Sequence, residues 1–126
     1  MNPKFQLGLL YLIHLLIGVD GVEDEKELRA LQCLKDRENI PDDVFQTYQQ
    51  NISCMTEREI YLQGIELMNK CSEQEKLKAF STLYRLSEVD GRVHVKEIRL
   101  LLYSLKDAGL NFDDVVHHTK EIPSLL

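Results

Sequence analysis

Apolar residues recur at helical rather than strand spacing along almost the whole chain. From Phe5 to Ile17 they cover nearly the full circumference of a helix, the pattern of an element buried on every side in the middle of a bundle. Pro3 suits its first turn, where a missing N–H costs nothing, and Gly18, Asp20 and Gly21 end it. Leu28, Leu31 and Leu34 then share one face of a second helix, opened by a capping-box pair, Asp24 and Glu27, and expected to run to about Asn39. Pro41, Asp42 and Asp43 restart a short helix through Val44, Phe45 and Tyr48, and Asn51, Ile52 and Ser53 read as a further break. Thr56 with Glu59 and Ser72 with Glu75 repeat the capping-box spacing. They open helices that carry Ile60, Leu67 and Met68, and then Leu77, Phe80, Leu83 and Tyr84. The pattern continues with Ile98, Leu101, Leu102 and Leu105 before Gly109, and a last short helix, opened by Asn111 or Asp113, holds Val115 and Val116. No stretch alternates as a strand would, so the fold class read from the pattern is all-α.

One motif occurs twice. Val19-Asp20-Gly21 with Lys26-Glu27 returns seventy residues later as Val89-Asp90-Gly91 with Lys96-Glu97, each time between two helical segments. That interval matches no common solenoid period. Residues 1–126 are therefore expected to form one helical domain with an approximate internal duplication, its halves at about 5–51 and 72–119.

The chain has 126 residues, 44% of them hydrophobic, enough for a core without metal or disulfide staples. Twenty-one acids against fifteen bases give a net charge of -6, which disfavours nucleic acid and anionic membranes as partners and favours cations or basic surfaces. Cys33, Cys54 and Cys71 are odd in number and form no CxxC pair, consistent with a reducing cytoplasm. The apolar stretch at residues 5–19 falls short of the roughly 20 residues a bilayer span needs and lacks the marks of a signal peptide, so no direct membrane insertion is expected.

The chemistry on offer is carboxylate. A glycine after each Asp permits the sharp turn that brings its side chain near the next helix, and the Glu seven positions on falls in that helix's first turn. Asp20, Glu27, Asp90 and Glu97 are thus the candidate metal ligands: two carboxylates are few for a hard cation, whereas four from two turns that meet would suit Ca²⁺ or Mg²⁺. Neither turn is a standard EF-hand. With the glycines aligned to that pattern, Leu16 and Gly18, then Leu86 and Glu88, stand at the two early ligand places, so each copy lacks the first ligand. The competing account is structural, with Asp24 and Glu27 capping one helix and Glu97 serving as a first-turn acid opposite the helix dipole. His14, on an apolar helix, reads as packed or hydrogen-bonded. Adjacent His117 and His118 diverge by about 100° and read as surface residues. No nucleophile motif or phosphate loop is present, so no catalytic residue is assigned.

The paired Asp-Gly turns, each followed by a Glu at a helix start, resemble the signature of the TerB-like family of tellurite-resistance proteins, and the likeness covers about residues 5–118. The two copies differ just after the glycine, Val22-Glu23 in the first against Arg92-Val93 in the second. The resemblance implies an all-helical, internally duplicated, cytoplasmic domain with clustered acids for a divalent cation, in a stress-related or membrane-linked complex, and implies no established reaction. The expected function is therefore a non-enzymatic module that binds a cation and meets a protein or membrane-protein partner. Two alternatives stand beside it: a metal-assisted hydrolase in which the same acids hold a metal and a water, and a structural or interaction domain without a metal.

Overall fold

The structure is a computed structural model that describes residues 3–17, 25–89, 95–103 and 111–121, without the side chains of residues 17, 25–28, 30, 86–89, 95 and 97. The described residues are all-helical: α1 (Pro3–Ile17), α2 (Glu25–Arg37), α3 (Asp42–Ile52), α4 (Glu57–Asn69), α5 (Glu73–Val89), α6 (Val95–Tyr103) and α7 (Phe112–Thr119), with no strand among them.

As its all-round apolar pattern requires, α1 is the central element. Phe5, Leu9, Leu10, Tyr11, Leu12, Ile13 and Leu16 are all buried, and α1 packs against α2, α3, α4 and α5. Its main partner is α4, which turns Ile60, Gly64 and Met68 inward at four-residue spacing. The two helices cross through their glycines. A Cβ on Gly8 would come within 3.1 Å of Met68 Cε and 3.2 Å of Leu67 Cβ, and one on Gly64 would come within 3.1 Å of Leu12 Cδ2. Gly8 meets Leu67 and Met68 while Leu12 meets Gly64, so the helices run antiparallel. Gly64, a helix-weakening residue in isolation, is what lets α4 lie so close to α1.

The helix ends follow local signals. Thr56 and Glu59 form a reciprocal capping box on α4, and Ser72 and Glu75 exchange the same pair of bonds ahead of α5, at 3.0 and 3.1 Å. Asn111 caps α7 by accepting from the Asp114 N–H. The end of α2 is set by Asn39, whose φ of 52° lies in the left-handed region that asparagine tolerates, while the Ile40 N–H reaches back to the Lys35 carbonyl at 3.0 Å. One expectation is corrected: Asn51 and Ile52 belong to α3 and the break begins at Ser53. Within α3, Asn51 donates its side-chain Nδ2–H to Tyr11 Oη at 2.8 Å, tying the end of this helix to α1.

Three helices meet at one buried polar junction. Gln6, at the end of the first turn of α1, donates Nε2–H to the Glu38 carbonyl just past the end of α2 at 3.2 Å. Lys78, in the second turn of α5, donates to Glu38 Oε2 at 2.7 Å. Thus α1 and α5 start, and α2 finishes, at this junction, and α2 returns along α1. The remaining layer is α6 and α7 on α5. Ile98, Leu101 and Leu102 of α6 are buried, and Val115 and Thr119 of α7 face Ser81, whose hydroxyl donates to the Val115 carbonyl while Thr119 donates to the Ser81 carbonyl, both at 3.3 Å.

Candidate functional site

The repeated motif connects α1 to α2 and α5 to α6. Both following helices begin at the same motif position, Glu25 and Val95, which are seventy residues apart like the motif itself. Glu27 and Glu97 are accordingly each the third residue of their helix, in the first turn as the spacing predicts. There the backbone N–H groups and the helix dipole favour a carboxylate. Asp20 and Asp90, and the side chains of Glu27 and Glu97, lie outside the described residues, as does Asp24, the other member of the expected capping pair. Because α2 returns along α1 to Glu38, Ile17 and Glu25 sit at the end of that helix pair remote from the junction; α1, at 15 residues, spans about 22 Å.

Among the described residues no three His, Cys, Asp or Glu side chains are placed to hold a metal ion. His14 is packed edge-on to Tyr48, with ring centroids 6.1 Å apart, and its Nδ1 lies 3.3 Å from Tyr48 Oη. His117 and His118 line a surface concavity of about 400 Å³ with Leu77, Asp114 and Glu121. Although adjacent positions diverge around the helix, the concavity is wide enough to collect both. His118 Nδ1 stands 3.4 Å from Glu121 Oε2.

Two other concavities were not foreseen. One, of about 400 Å³, surrounds the polar junction and is lined by Pro3, Gln6, Arg37, Glu38, Asn39, Pro41 and Lys78. Within it the Glu38 side chain is 4% exposed and paired with Lys78, while Gln6 Oε1 is buried without a hydrogen-bond partner. The other is a groove of about 520 Å³ running along α1 and α4, lined mainly by Leu7, Tyr11, Met55, Leu62 and Leu67, with Glu59 among its polar residues. The sequence pattern assigns Leu62 no role; its place off the Ile60–Gly64–Met68 stripe is the signal that marks it as surface-facing, and the groove beside it needs the α1–α4 crossing.

All three cysteines are free thiols. Burial, then the negative charge of Glu75, pushes the Cys71 thiol up. At the surface, a hydrogen bond from Lys35, 2.6 Å away, and its positive charge hold the Asp42 carboxyl below the usual aspartate range and raise Lys35 in turn. No family model, curated protein or solved structure matches this chain. No helix among the described residues is long and apolar enough to cross a membrane.

Proposed function

We propose that this chain is a TerB-like, non-enzymatic helical module whose two acidic turns together hold one hard divalent cation, Ca²⁺ or Mg²⁺, and present a cation-dependent surface to a protein partner in a stress-related setting. The observation that carries the reading is the matched placement of Glu27 and Glu97, each the third residue of the helix that follows an Asp-Gly turn. The donor set is all carboxylate, the chemistry of an oxygen-preferring ion rather than of zinc or copper. Support also comes from the helix arrangement: α1 and α5 pack on one another and both start at the Glu38 junction, which leaves their far ends to carry the two turns.

In this reading Asp20, Glu27, Asp90 and Glu97 supply oxygens, and backbone carbonyls and water complete the shell. Binding relieves repulsion among four carboxylates and fixes the α1–α2 pair relative to α5–α6. The test is calorimetric titration of metal-free protein with Ca²⁺, Mg²⁺, Mn²⁺ and Zn²⁺, alongside an Asp20→Asn, Asp90→Asn variant. Saturable binding that is lost in the variant at unchanged helical content supports the site and ranks the ions. Absence of heat and of any thermal stabilisation by every ion refutes it and leaves helix capping as the role of the acids.

A further inference from the structure

We draw no further inference here: the strongest candidate, the apolar groove along α1 and α4 beside exposed Leu62, is an unpartnered face, and nothing in the structure shows what covers it.

Discussion

Replacing Lys78 by Met tests the junction that joins α1, α2 and α5. Lys78 Nζ lies 2.7 Å from Glu38 Oε2, with the Glu38 side chain 4% exposed and that of Lys78 37% exposed. Removing one partner of a fully buried pair costs about 3–5 kcal/mol, whereas exposed pairs contribute about 0–1 kcal/mol. Here the carboxylate left behind is buried but its lost partner was one-third in solvent, so the expected loss is between these limits, about 2–3 kcal/mol. For a chain of this size that lowers the melting temperature by roughly 10 °C. Glu38→Gln leaves the ammonium an outlet to water and should cost only about 1 kcal/mol. The double variant strands no charge and should cost less than the sum of the two, by about 1–2 kcal/mol. Urea unfolding followed by circular dichroism measures all four corners of the cycle. A Lys78→Met loss below about 0.5 kcal/mol, or strict additivity, would show that the pair behaves as a surface ion pair and refute the argument.

Gln6→Met removes one hydrogen bond but also a buried acceptor that has no partner, so it is expected to be neutral within about 1 kcal/mol in the same unfolding assay. At the surface, the lowered Asp42 carboxyl and raised Lys35 ammonium bound a pH window. The folded Asp42 value lies below the unfolded one, so its contribution is present above ordinary aspartate titration and lost as pH falls through the folded value; for Lys35 it is lost as pH rises through its raised value. Carboxyl chemical shifts should show Asp42 returning toward the usual range in Lys35→Met. Among the three thiols, exposed Cys54 should react first with an aromatic disulfide reagent and buried Cys71 last, with the Cys71 rate rising only as the protein unfolds.

The parts of this fold that could be read from the chain are those decided within about four residues. Thr56 with Glu59 and Ser72 with Glu75 satisfy orphan backbone N–H groups wherever the chain goes next, and the all-round apolar pattern of α1 has no stable place except the centre of a bundle. The start positions of α2 and α6 followed in the same way from the repeated motif, and with them the first-turn places of Glu27 and Glu97. What the pattern could not supply depends on which helix lies against which. Gly64 reads as a weak point until α1 crosses it. Nothing near in the chain pairs Ser81 with Thr119 until α7 lies on α5, and Gln6, Glu38 and Lys78 are polar residues 32 and 40 positions apart until three helix ends converge. Local hydrogen bonds and hydropathy fix where helices form because their partners are near in the chain. Close crossings, buried polar junctions and the pairing of Leu62 with a groove are properties of packing, and so only the tertiary structure decided them.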